Sequence, residues 1–316
     1  MAGMLTDREL SELTPSELCP HRTPIPTQAV SSDEYYPPPQ NADQRAVEAR
    51  MLALADELGR HQGLSRRRFF QTASGMAAAY LAMNQVYGPL FEVSRAEAAT
   101  PEQAGARAAA LKDQFIMDMH THFLRDDTRL TGFVAMRAAV GRQGWNKALA
   151  EKEQTIEDLK FDNYKKELFL DSDTKVALIS SAPSEIPQDW FLTNAQMAAA
   201  RQRVNAEAGS RRLFAHAIFT PGRPGWLDDL DAALALKPES AKGYTVGDNT
   251  HKDLSVHPWR MDDEKTTYKG YEKMLKAGIR NVCVHKGLFS HATARQYPRL
   301  EHYADVSDVA KAARDW

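Results

Sequence analysis

Apolar positions in the last two thirds of the chain form short runs separated by longer amphipathic stretches. Residues 115–122, FIMDMHTH, open the series. The period of two in an extended chain puts Asp118, His120 and His122 on one face and Met117, Met119 and Thr121 on the other. Residues 174–181, TKVALISS, have the aliphatic and β-branched content of a strand buried on both faces, and Ala182-Pro183 ends it. A third strand is predicted over 212–220, RLFAHAIFT, stopped by Pro221-Gly222. A fourth follows over 241–248, AKGYTVGD, and a fifth over 279–288, IRNVCVHKGL. In the fifth, alternation turns Val282 and Val284 towards flanking helices and Asn281, Cys283 and His285 inward.

Helical spacing fills the intervals. A loop and short helix occupy 125–144, and a helix over about 145–169 carries Leu149, Ile156, Leu159, Tyr164 and Leu168 as an intermittent stripe. Further helices are predicted over 186–208, closed by Gly209, over 226–236, and over 268–276, closed by Gly278. Another begins at about 306–316. Strand and helix alternating at this spacing imply an α/β fold with a parallel sheet and right-handed crossovers.

The first hundred residues have a different texture. Residues 1–60 are rich in Pro, Ser, Thr and acidic groups, and about the first 44 read as a disordered polar leader. Residues 45–58 carry Val47, Met51, Leu52, Ala55 and Leu58 near helical spacing. Residues 61–100 then present Ser65-Arg66-Arg67-Arg68-Phe69-Phe70, an uncharged stretch TASGMAAAYLAMNQVYG, and Ala96-Glu97-Ala98-Ala99. A basic region, a mildly apolar segment and an A-x-A-like site follow the order of an export signal, and the paired arginines resemble a bacterial twin-arginine signal. The alternative is an amphipathic helix with a basic cap. Thr72, Ser74, Asn84 and Gln85 interrupt the apolar run, which falls short of the roughly 20 apolar residues a membrane span requires. The expected partner is therefore the twin-arginine export machinery, the expected location the periplasm, with no stable membrane span. The length of the leader before Ser65 makes Met51 an alternative start.

Composition narrows the function. Of 316 residues 43% are apolar, so a sizeable core is available, and 40 basic against 42 acidic residues give a net charge of −2. No overall field favours nucleic acid. Cys19 and Cys283 are the only cysteines, so disulfides are not the organising device.

Candidate chemistry centres on His120 and His122. Two imidazoles at i and i+2 near a strand end converge on a point suited to a divalent cation with nitrogen ligands; the plain alternative is a hydrogen-bonded surface pair. His216, in the middle of the third strand, reads as a pocket residue or a satisfied core histidine. Lys242 reads as solvent-tipped or ion-paired. The polar loop 248–267 follows a strand end, where barrel enzymes build their sites, and contributes His257, Trp259, Arg260 and Asp262 as substrate-binding candidates. Arg260 could hold a carboxylate bidentately, or pair with Asp262 or Asp263 while Trp259 packs.

FIMDMHTH, AKGYTVGD, VHPWRMDDEK and NVCVHKGLF together resemble the amidohydrolase superfamily, in its amidohydrolase-related branch of metal-dependent hydrolases and decarboxylases, over 111–316. The resemblance implies a (β/α)8 TIM-barrel fold, a small-molecule substrate, and a divalent metal, zinc above others, held by His120, His122 and His285. Five strand–helix units in about two hundred residues fall short of the eight such a barrel contains. The barrel is thus expected to be incomplete, with the sixth-strand catalytic histidine and eighth-strand aspartate of the family beyond residue 316. The resemblance leaves three functions open: metal-dependent hydrolysis, non-oxidative decarboxylation, and an inactive or binding-only barrel fragment. A homo-oligomer is compatible with each.

Overall fold

Five strands form one parallel sheet in sequential order: β1 (Met117–Thr121), β2 (Val176–Ile179), β3 (Leu213–Phe219), β4 (Ser240–Tyr244) and β5 (Val282–His285). They come from a computed structural model that describes residues 23–27, 40–142, 149, 151–248, 251–286 and 295–316. The sheet is curled into a half-barrel, as one contact makes plain. In a flat sheet β4 would lie about 14 Å from β1. Yet Lys242 Nζ on β4 comes within 3.2 Å of His120 Nε2 on β1.

Helices cover the convex face. Asn194–Ala208 (α8) packs Met197, Ala200 and Val204 on Ala177, Ile179, Leu213 and Ala215. Trp226–Ala235 (α9) and Thr267–Lys276 (α10) pack Trp226, Leu230, Tyr271 and Met274 on Ala217, Phe219 and Ala241. Val282 and Val284 join this second core, which leaves Cys283 and His285 on the concave side, as alternation requires. Gly243 is needed because a Cβ there would lie 2.4 Å from the Trp259 ring and 2.9 Å from the Phe219 carbonyl oxygen.

Every predicted strand is present, trimmed at its ends except that β4 begins one residue early, at Ser240. β4 stops at Tyr244 because the Thr245 carbonyl accepts from the Trp259 backbone N–H at 2.9 Å, drawing the chain into a loop. The helix predicted over 186–208 starts only at Asn194, where Thr193 and Gln196 form a capping box; a short 3-10 turn, Pro187–Asp189, precedes it. Gly132–Arg142 (α6) is the short helix expected within 125–144. The helix predicted over 145–169 is broken up into a 3-10 turn Ile156–Leu159 capped by Thr155 and Asp158, then Phe161–Lys165 (α7) running into a π turn, Lys166–Leu170. A short helix that was not predicted, Pro298–Ala304 (α11), precedes Val309–Asp315 (α12), which is the helix predicted at about 306–316. Most of the expected polar leader, Cys19, residues 145–148 and residues 287–288 of the fifth strand lie outside the described residues.

Residues 42–110 form a helical unit: α1 (Ala42–His61), α2 (Arg66–Phe69), α3 (Ala73–Tyr87), α4 (Arg95–Ala99) and α5 (Pro101–Ala110). α1 is longer than the predicted 45–58 because an Asn41–Gln44 capping box starts it earlier. Its stripe Val47, Met51, Leu54, Ala55 and Leu58 shares a core with Phe69, Phe70 and the alanines of α3. Among the described residues no helix is long and apolar enough to cross a membrane.

Candidate metal centre

The register of β1 is set from behind. Thr121 faces outward, where its hydroxyl donates to the Leu178 carbonyl at 3.0 Å and lies 2.8 Å from the Tyr164 hydroxyl of α7. With Thr121 fixed on the convex side, the period of two turns His120 and His122 to the concave side. Asp118 Oδ1 accepts from the His120 backbone N–H at 3.0 Å and braces the strand end.

The two imidazoles meet edge to face, with Nε2 atoms 2.8 Å apart. His122 Nδ1 lies 2.9 Å from the Ser180 carbonyl oxygen, which can only accept; the Nδ1 proton is therefore fixed, and in the neutral ring the Nε2 lone pair points at His120. A backbone carbonyl behind the distal nitrogen is the usual outer support of a metal-binding histidine. Two nitrogens at about 2.0–2.1 Å from one tetrahedral ion lie about 3.3 Å apart. The pair stands closer than that, at hydrogen-bond distance, so the two rings would part slightly to admit an ion; their donor chemistry fits a cation that takes nitrogen ligands. Lys242 Nζ donates towards the same His120 nitrogen at 3.2 Å.

His285 lies opposite Tyr244 in the β4–β5 register and stacks on it, ring centroids 4.8 Å apart. It lines the same cavity as His120 and His122, a space of about 810 Å³. Among the described residues no three His, Cys, Asp or Glu side chains stand close enough to form a metal-holding cluster. The cavity extends from the imidazoles into an apolar compartment of Phe123, Phe133, Leu159 and Phe191, with Arg137 of α6 supplying a cation at its wall. Arg137 Nε donates to Gln154 at 3.2 Å and Glu167 lies 3.8 Å away.

Burial decides two protonation states here. It raises the Tyr164 phenol well above its ordinary value, so the hydroxyl beside Thr121 stays protonated. Burial, then the charge of Lys242, then His120, push His216 down to about 3. His216 is a neutral core histidine, with Nδ1 hydrogen-bonded to the Ser240 hydroxyl.

The four candidates from the polar loop do not line this cavity. His257 Nδ1 lies 2.9 Å from Glu185, whose other oxygen accepts from the Val256 and His257 backbone N–H groups at 3.0 and 2.9 Å. Burial opposes ionisation of Glu185, but the hydrogen bonds from His257 and the two backbone groups outweigh it and lower its pKa. Trp259 is buried under Gly243 on the convex side. Arg260 grips Asp262 at 3.0 and 3.4 Å, which lowers the aspartate pKa, and donates to the His302 carbonyl at 3.0 Å. The loop thus fastens itself and the C-terminal helices to the sheet. Lys242 is buried at 5% exposure rather than solvent-tipped, and it belongs with the imidazoles. The alternation of Lys242 and Tyr244 along β4 was the signal for both; nothing local marked Arg137.

The chain matches no family model, no curated protein and no solved structure with which it was compared.

Proposed function

We propose that the chain is a metal-dependent hydrolase of the amidohydrolase type, its curled sheet belonging to a (β/α)8 barrel. In this reading His120 and His122 would hold one divalent cation and His285, which lines the same cavity, would move in as the third ligand; zinc stands above others because neutral imidazoles favour it over magnesium or calcium. The observation that carries the reading is the pair of Nε2 atoms 2.8 Å apart with His122 Nδ1 tied to a backbone carbonyl. A bound cation would supply Lewis acidity for activating water or a substrate carbonyl. The protein's own share is positioning. Ser180 fixes the His122 tautomer, and the apolar compartment takes the body of a small substrate and excludes water around it. Arg137 offers a carboxylate-bearing substrate a charged partner, in place of Arg260, which is engaged with Asp262. The same cation favours decarboxylation as the second reading, since that reaction also needs a grip on a carboxylate. The arginine pair at 66–67 adds export by the twin-arginine route to the periplasm.

Metal content after dialysis tests the centre. The wild type should retain close to one zinc per chain and the His120→Ala, His285→Ala double variant none; equal content in the two would eliminate the site. Carbon dioxide and acid release, followed in parallel on aromatic acids, lactones and esters, separate decarboxylation from hydrolysis.

A further inference from the structure

The segment read as an export signal does not stand apart from the helix before it. α1 touches each of the parts such a signal is made of. Asp56 of α1 accepts two hydrogen bonds from the Arg66 guanidinium, from Nε at 2.9 Å and Nη2 at 2.7 Å. The buried stripe of α1 shares a single core with Phe69, Phe70 and Ala77, Ala78, Ala79 and Ala82, so the aromatic pair after the arginines and the apolar helix are both covered. At the far end, Gln62 Nε2 donates to the carbonyls of Ala98 and Ala99 at 3.3 and 3.0 Å, and Glu57 pairs with Arg95. Ala98, inside the expected cleavage site, is fully buried in a helical turn. The tight approach depends on Gly75, where a Cβ would lie 2.2 Å from the Phe69 carbonyl oxygen. It lets α2 fold back against the start of α3 and carry Phe69 into the core.

We propose that α1 is an intramolecular mask for the export signal. The inference rests on the twin-arginine reading of Arg66 and Arg67. A receptor that reads paired arginines with the residues following them needs those side chains free, and a peptidase needs residues 96–99 opened out of their helix. With α1 docked, Arg66 is held by Asp56, Phe69 and Phe70 are buried, and the cleavage site is tied to Gln62. All three arginines remain exposed to solvent, Arg66 within its surface pair with Asp56, so it is the aromatic pair and the cleavage site that α1 covers, and Arg67 and Arg68 are a handle from which its displacement can begin. Export then waits on an opening of residues 42–62 away from 66–99, and the docked form retains the precursor in the cytoplasm.

The test uses the full chain in a bacterium with a working twin-arginine pathway, scored by periplasmic fraction and by amide exchange over 66–87. Asp56→Arg with Gln62→Ala sets a positive charge against Arg66 and frees the cleavage site without touching the core. Leu54→Asp, which puts a charge into the shared core, is a second and independent release. Each is expected to speed exchange over 66–87, leave the exchange of the β-sheet unchanged, and raise the periplasmic fraction about fivefold, the population factor that one modest contact controls. Arg66→Lys with Arg67→Lys should abolish export in wild-type and released backgrounds alike. If neither release variant raises export while the arginine changes abolish it, the mask is wrong and the signal stands. If the arginine changes leave export unaltered, the twin-arginine reading fails and the mask fails with it.

Discussion

Replacing His216 should remove most of an acid sensitivity built into the sheet. The imidazole is 2% exposed, sits on the concave side of β3, and has its pKa pushed to about 3 by burial and by the charges of Lys242 and His120. Its unfolded value is about 6.5. Between the two values the unfolded chain binds a proton that the native state refuses, so the neutral ring contributes full stability above about pH 6.5 and loses it progressively towards pH 3. Linkage between pKa values of about 3 and 6.5 gives a loss of about 2 kcal/mol from pH 7 to pH 5, with a limiting slope of about 1.4 kcal/mol per pH unit. His216→Gln keeps a polar partner for the Ser240 hydroxyl and removes the titration. The variant will be less stable at pH 7, since the amide fills the site imperfectly, but the difference between variant and wild type should narrow by about 2 kcal/mol at pH 5. Urea unfolding of chelator-treated protein at the two pH values, followed by tryptophan fluorescence, measures it. Parallel pH dependences in the two proteins would refute the argument, because the shift in His216 could not then be real.

Two other substitutions probe how the sheet is backed. Gly243→Ala drives a methyl into the Trp259 ring and the Phe219 carbonyl, and should destabilise by about 1–3 kcal/mol; an unchanged urea midpoint would mean that Trp259 does not pack there. Asp308→Ala strands the buried ammonium of Lys286, which now reaches both carboxylate oxygens at 2.8 and 2.9 Å, and should lower stability by about 3–5 kcal/mol. The Lys286→Met, Asp308→Leu double variant should recover most of that loss, and a double variant as unstable as Asp308→Ala would show that the pair itself, not the stranded charge, carries the stability.

What was legible in the sequence is what depends on neighbours along the chain. β2, β3 and β5 were readable from their aliphatic and β-branched content, with Ala182-Pro183 after β2 and Pro221-Gly222 after β3 as stop signals, and β1 from its alternation of polar and apolar positions. The common face of His120 and His122 was readable because period two is a property of any strand. Strand and helix ends were less so. β4 stops where the Trp259 backbone, fourteen positions on, captures the Thr245 carbonyl, and no local pattern announces that. The start of α8 was announced, by Thr193 and Gln196, but the Pro187 signal upstream competed with it.

The same distinction explains the polar loop. His257, Trp259, Arg260 and Asp262 carry the residue types of a binding site, and a loop after a barrel strand is where such residues are looked for. In the structure they have partners within the protein: Glu185 for His257, the gap over Gly243 for Trp259, and for Arg260 an aspartate two positions away together with the His302 carbonyl. Composition could not tell a ligand-binding arginine from one that staples a loop, because the two differ only in whether the carboxylate belongs to the protein. The converse holds for Lys242. Read along the chain it is a charge at the start of a strand; in the curled sheet it is an ammonium 3.2 Å from His120 Nε2, placed there by three intervening strand spacings folded into an arc. Curvature of the sheet, a property of no single segment, is what turns separate polar positions on β1 and β4 into neighbours, and it is therefore the feature on which any chemistry at the imidazole pair depends.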